Sequence, residues 1–328
     1  MKRFLRNSIL FAIPFMVMLG YYLIADPFMA VWRYRDVDAI RSGRGCSNDA
    51  LRGIHWMNAH EDSLQYNSFI EGSSRSDFYY VSEWKKYLGD NAVCFHFNQS
   101  GDNLQGTLER VRYLYKRFEH IDNILFIMDC EYLKEMTHHR GHLFRNPWQV
   151  TEEWDFFSFH WEFFRAFFTF DYQRKMLGLA IEEENLARHY DSRWNEDYKD
   201  GAEQLLNAKR YKEYYSRFDK NYALYPRDTV EHVAEPVILQ KQKEALQELK
   251  LLLITGNTDY RIVISPLYNQ EKLNPADLNI LKQCFGEDKV FDFSGINEYT
   301  SDPYNYYEVS HYRPQLCNRI LKVIYDTF

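Results

Sequence analysis

Ser68-Phe69-Ile70-Glu71-Gly72-Ser73-Ser74-Arg75-Ser76 is the stretch on which the fold is decided. A short apolar run, Ser68–Ile70, passes through Glu71 into a glycine and a serine-rich turn, and a helical pattern follows over Asp77–Leu88. A buried strand that stops at a glycine and feeds a helix is the opening half of a β–α–β unit. Four more apolar runs of strand length repeat the theme: Ala92–Phe97, Ile124–Met128, Arg261–Ser265 and Val290–Phe293. Their near-continuous apolarity fits strands covered on both faces, as in a parallel sheet. Leu104–Phe118 and Val237–Leu253 carry helical periodicity between them, and Gln315–Tyr325 closes the chain with an amphipathic pattern. The expected fold class is α/β, three layers (α/β/α) around a mostly parallel sheet, within a domain over residues 46–328.

About 130 residues separate the third and fourth runs, more than one crossover needs. Within that gap Trp154–Tyr172 (WDFFSFHWEFFRAFFTFDY) is dense in aromatics, and Asn195–Asp219 is rich in Lys, Glu and Tyr. Arg145–Glu235 is therefore expected to be a mostly helical insertion covering one end of the sheet. The aromatic stretch reads either as a helix buried against the core or as the wall of an acyl or sugar pocket.

Composition narrows the classes. Lys plus Arg is 40 against 47 for Asp plus Glu, a net charge of −7 that gives no dominant basic face for nucleic acid. Hydrophobic residues make up 45 % of the 328 residues and aromatics 17 %, ample for a large core. The five cysteines (Cys46, Cys94, Cys130, Cys284 and Cys317) are odd in number and form no CxxC pair, so neither a disulfide framework nor a structural zinc site is expected.

After an eight-residue tail bearing Lys2, Arg3 and Arg6, Ile9–Ala25 runs seventeen positions without a charge. A helix of that length spans about 25 Å, close to the hydrocarbon thickness, and Tyr21, Tyr22 and Trp32 stand where interfacial anchors belong. A cleaved secretory signal is the alternative, but no small-x-small site precedes Asp26, so an uncleaved transmembrane anchor is expected, with residues 26–45 as linker. Basic residues flank the segment on both sides, Arg33, Arg35, Arg41 and Arg44 following it, so charge does not set its orientation.

Two weak signals carry chemistry. Ser74 lies at a strand-to-helix turn, where helical N–H groups can stabilise an oxyanion, although a serine N-cap is structurally ordinary. Near the other end, Tyr306-Tyr307-Glu308-Val309-Ser310-His311 places Glu308 three residues before His311, so the carboxylate can hold one ring nitrogen and leave the other to take a serine's proton. Taken together at opposite ends of one α/β domain, they resemble the SGNH/GDSL hydrolase family over about residues 66–325. Phe69-Ile70-Glu71-Gly72-Ser73-Ser74 sets Ser74 at that family's serine position, with Ser73 where many members have Asp. Glu308-Val309-Ser310-His311 sets His311 at the base position and Glu308 at the Asp position. Asn98-Gln99-Ser100-Gly101 matches the second block, whose glycine N–H lines the oxyanion hole.

The resemblance implies an SGNH/flavodoxin-like sheet and serine acyl transfer: Ser74 as nucleophile, His311 as base, Glu308 as its orienting carboxylate, and Ser74, Gly101 and Asn103 around the oxyanion. No metal or organic cofactor is implied. One block departs. Where the family carries Gly-x-Asn-Asp after its third strand, this chain has Met128-Asp129-Cys130-Glu131, so Asn103 or a backbone group must replace the asparagine or the rate falls about 100- to 1000-fold. The anchored form is similar to the D-alanyl transfer proteins of lipoteichoic acid synthesis and to single-anchor partners of membrane-bound O-acyltransferases. That implies an extracytoplasmic domain, an acylated glycan or acyl donor as substrate, and a membrane acyltransferase as partner. A non-catalytic SGNH-like envelope scaffold that binds glycan or partner is the competing reading. Other candidates are weaker: Asp129 and Glu131 as an acid/base pair, Asp302 as an alternative orienter of His311, Cys130 as a nucleophile, and His138, His139 and His142 at metal-ligand spacing.

Overall fold

The computed structural model describes residues 1–35, 48–60, 62–151, 156–169 and 224–326. The stretch Arg41–Gly45, Cys46 and most of the expected insertion lie outside the described residues. In chain order the elements are α1 (Lys2–Ala25), α2 (Asp49–Ala59), β1 (Ser68–Gly72), α3 (Val81–Lys85), β2 (Cys94–His96), α4 (Leu104–Arg117), β3 (Asn123–Met128), α5 (Cys130–Lys134) and α6 (Phe156–Phe167). Then follow α7 (Gln240–Thr255), β4 (Asp259–Ile264), α8 (Pro275–Phe285), β5 (Val290–Asp292), β6 (Tyr306–Glu308), β7 (His311–Tyr312) and α9 (Pro314–Asp326).

Strands β1 to β5 form one sheet in the order β2-β1-β3-β4-β5, every pair parallel. All five expected runs are in it. Side chains alternate between faces, as the pleat requires. Phe69, Ile124, Phe126, Met128, Ile262 and Ile264 enter one apolar cluster with residues of α2, α4, α7 and α8. Their neighbours Ile70, Leu125, Ile127 and Val263 enter a second with residues of α3 and α9. Both faces of the sheet are therefore covered, which is why its strands read as unbroken apolar runs.

The expected helix over Asp77–Leu88 is replaced by smaller pieces. A three-residue 3-10 turn, Ser74–Ser76, follows β1 directly, and α3 starts only at Val81. Phe78, Tyr79, Val81 and Trp84 are all buried, so packing rather than helical hydrogen bonding sets this segment's path. The sequence reading passed over α2, which Asn48 caps by accepting from Leu51 N–H. It also passed over α8, capped by Asn274 with Pro275 in its first turn.

Helix α1 is long and apolar enough to cross a membrane, and its surface is almost wholly uncovered by the rest of the chain. Its carboxyl end is held in a hydrogen-bonded knot, and residues 36–45 of the expected linker lie outside the described residues. The Asp26 carboxylate accepts from the N–H groups of Ala30, Val31 and Trp32 and from the Tyr34 hydroxyl, while Phe28, Met29 and Ala30 are buried.

Candidate active site

The turn that carries Ser74 is shaped by its neighbours. A Cβ on Gly72 would lie 2.9 Å from the Ile127 carbonyl oxygen on β3, so only glycine lets the strand leave the sheet there. Ser73 then caps the 3-10 turn, its hydroxyl accepting from Arg75 N–H at 3.3 Å and its carbonyl from Ser76 N–H at 2.9 Å. The Ser76 hydroxyl also donates to that carbonyl at 2.7 Å. Its hydrogen being used, the 2.9 Å contact with His96 Nε2 must have the imidazole as donor. His96, on β2, thus locks the turn from beneath. Ser74 itself stays half-buried, facing outward from this frame.

His311 comes from the far end of the chain. Strands β6 and β7 form an antiparallel hairpin in which Glu308 and His311 are register partners. Tyr306 and Tyr312 anchor the hairpin, the Tyr306 hydroxyl donating to Pro266 O at 2.9 Å and Tyr312 Oη lying 3.2 Å from Ser265 Oγ at the end of β4. Arg313 stacks over Tyr307, 4.3 Å from its ring centre. These contacts carry His311 to the Ser74 turn, where its Nε2 lies 2.9 Å from Ser74 Oγ across 237 residues of sequence. If the serine is the donor, the imidazole must hold its proton on Nδ1. Asp302, the alternative orienter, is engaged elsewhere: it caps the 3-10 turn Pro303–Asn305 by accepting from Tyr304 N–H.

The loop after β2 supplies the next group. Gly101 adopts a φ of +60°, and a Cβ there would approach the Phe144 ring to 2.9 Å, so the position favours glycine twice over. Among the described residues, the N–H groups of Ser74 and Gly101 donate to no protein acceptor. Asn103 is differently occupied. Its carbonyl oxygen caps α4 through Gly106 N–H and its amide nitrogen donates to Thr137 O at 2.7 Å. Its side chain therefore serves the loop and helix.

Arg75 is the residue the sequence reading missed. Its guanidinium pairs with Asp129 at 2.6 Å and Glu131 at 2.7 Å, and those carboxylates hold its charge beyond the ordinary arginine range against the penalty of burial. Asp129 also caps α5 through Tyr132 N–H. The two carboxylates weighed as an acid/base pair thus clamp the Ser74 turn to the end of β3. Burial, reinforced by acidic neighbours, pushes the Cys130 thiol up to about 11, far from the depressed range of a reactive cysteine. The three histidines disperse: His138 bonds Glu109 at 3.0 Å, His139 lies edge-on to Phe144, and His142 packs on Phe28 and Phe163. Among the described residues no group of three or more potential ligands is assembled for a metal.

Behind the turn, Glu71 and Asp102 share Arg110, all three side chains buried, with N–O separations of 2.8 and 2.7 Å. Burial raises the Glu71 carboxyl to about 8 despite the guanidinium beside it.

The position of these groups has a topological reason. The chain leaves β1 towards β2 on one side and then returns to β3 on the other, so the loops after β1 and β3 diverge and leave a crevice at the carboxyl ends of the strands. Ser74 follows β1, and Asp129 follows β3. No protein-family model matches this chain, and no curated protein matches it significantly.

Proposed function

We propose that this protein is a membrane-anchored serine esterase or O-acyltransferase acting on acyl groups of cell-envelope glycans. The observation that carries the proposal is the 2.9 Å contact between Ser74 Oγ and His311 Nε2 at the switch point of a parallel sheet. In the reaction, Ser74 Oγ attacks an ester or thioester carbonyl while its proton passes to His311 Nε2. The N–H groups of Ser74 and Gly101, which have no other protein acceptor among the described residues, receive the oxyanion. Collapse expels the alcohol or thiol, which takes the proton back from His311, and leaves an acyl-serine. Water or a glycan hydroxyl then gives up its proton to His311 and attacks that ester, and His311 returns the proton to Ser74 Oγ as the acyl–oxygen bond breaks. Glu308, whose backbone pairs with that of His311 in the hairpin and whose side chain lies outside the described residues, is the carboxylate this reading assigns to the Nδ1 proton. No step calls on a metal.

The likeness to SGNH/GDSL hydrolases supports the same assignment, with Cys130 standing where that family's oxyanion asparagine would be. The three-layer arrangement, the extracytoplasmic placement of the domain and a membrane-bound O-acyltransferase partner belong to this proposal too. α1 supports the anchor.

The absent asparagine favours the second reading, a glycan-binding scaffold without turnover. A fluorophosphonate probe on the full chain separates the two. Labelling that is lost in Ser74→Ala and falls on the order of 10³-fold or more in His311→Ala, with unchanged circular dichroism, supports the enzyme. A wild-type chain left unlabelled across about pH 6 to 9 means the scaffold.

A further inference from the structure

Helix α6 is apolar on too many sides to be explained by the fold alone. Phe159, Phe163, Ala166 and Phe167 are buried against the domain, which accounts for one face. A second aromatic stripe, Phe157, Trp161, Phe164 and Phe168, follows the spacing 4-3-4 along another face. Within it Phe157 is 73 % exposed, Trp161 57 % and Phe168 40 %. Ser158, Glu162 and Arg165 form its polar strip, and a surface helix ordinarily carries a single apolar stripe beside such a strip, not two. Large exposed rings grouped in one place mark a surface with a partner.

The identity of the partner follows from what borders the stripe. The ring of Tyr22, near the end of α1, lies 5.4 Å from that of Phe164 and 5.6 Å from that of Phe167. Between the two helices is a cavity of about 310 Å³ whose walls include Leu19 and Leu23 from α1 and Phe157, His160, Trp161 and Phe164 from α6. It includes neither Ser74 nor His311. Whatever fills it must touch the apolar span of α1 and the aromatic stripe of α6 together. Leu19 lies six positions before the end of α1, about 9 Å along the axis. That is the depth at which interfacial helices rest their apolar faces, and tryptophan and its neighbours prefer that layer.

We propose that α6 lies in the membrane interface beside α1, its Phe157–Trp161–Phe168 face and the cavity filled by lipid acyl chains, so that the domain is held against the bilayer at two places. This rests on the reading of α1 as a membrane anchor. It gives the domain a fixed attitude: α6 packs on His142 through Phe163, and the neighbouring Leu143 carbonyl accepts from Gln99, two residues before Gly101. A continuous path of contacts thus joins the lipid-facing helix to the loop beside Ser74.

The test places photoreactive benzoylphenylalanine at positions 11, 157, 161 or 251 of the full chain. The protein is reconstituted in phosphatidylcholine nanodiscs, and adducts are read by mass spectrometry. Position 11, an exposed phenylalanine of α1 away from the cavity, reports on the anchor alone, and position 251, an exposed leucine on α7, reports on adventitious lipid. The inference expects lipid adducts at 157 and 161 in yields comparable to position 11, with none at 251. Adducts at 11 without any at 157 and 161 overturn it while leaving the anchor intact. Cross-linking of 157 or 161 to a second copy of the chain, or lipid adducts at 251 as strong as at 161, overturn it as well. No adduct at 11 removes the anchor and the inference with it.

Discussion

At the scale of single residues, the arrangement around Ser74 depends on groups that never touch a substrate. Arg75 is the clearest. Removing its side chain leaves Asp129, almost fully buried, without its cation, and a buried charge that loses its partner is costly. Arg75→Ala should therefore lower stability by about 1–3 kcal/mol in urea unfolding. It should also slow probe labelling of the folded protein, because the turn is released from β3. Gly101→Ala adds strain at a positive φ and a contact with Phe144, and should cost about 1–2 kcal/mol. Glu71 gives a pH signature. Its folded-state pKa, near 8, is above the ordinary carboxylate value, so the unfolded chain loses this proton first. The stability it contributes is fully present below about pH 4 and declines as pH rises towards 8. Glu71→Gln removes that slope: the wild-type advantage over the variant, measured as a difference in urea midpoint, should shrink between about pH 5 and 8.

At the scale of elements, what the sequence could say depended on how each element is covered. The strands of the central sheet were legible because burial on both faces leaves continuous apolar runs. α4, α7 and α9 were legible because each keeps a polar side. α2 was not, since Asp49, Arg52 and His55 are buried along with Leu51, Ile54 and Trp56, and no solvent face interrupts the pattern. The hairpin β6–β7 is too short for a period to emerge, and its geometry comes from tyrosine contacts with the loop after β4. Tyr306→Phe keeps the ring and deletes the hydroxyl that donates to Pro266. We expect about 1 kcal/mol of destabilisation and a larger relative fall in labelling of Ser74, since His311 rides on this hairpin. Equal changes in both measurements would assign Tyr306 to stability alone.

At the scale of the whole molecule, α1 and the domain share a boundary. Tyr22 is buried against Phe164 and Phe167, and the Asp26 knot fixes the exit of α1. A chain shortened to begin after Ala25 should thus expose the rings of α6 on two sides. It should self-associate in analytical ultracentrifugation unless Phe157 and Trp161 are also replaced by polar residues. The five strands, their parallel character, the apolar amino-terminal helix and the candidates Ser74, His311 and Glu308 were legible in the residues alone, because burial and turn chemistry write themselves into local residue choice. That Ser74 and His311 meet, that Arg75 clamps Asp129 and Glu131, and that Asn103 is spent on capping came from the folded chain. Those are facts about distance between segments far apart in the chain, set by strand order and by side chains packing across it, and no local pattern of residues encodes them.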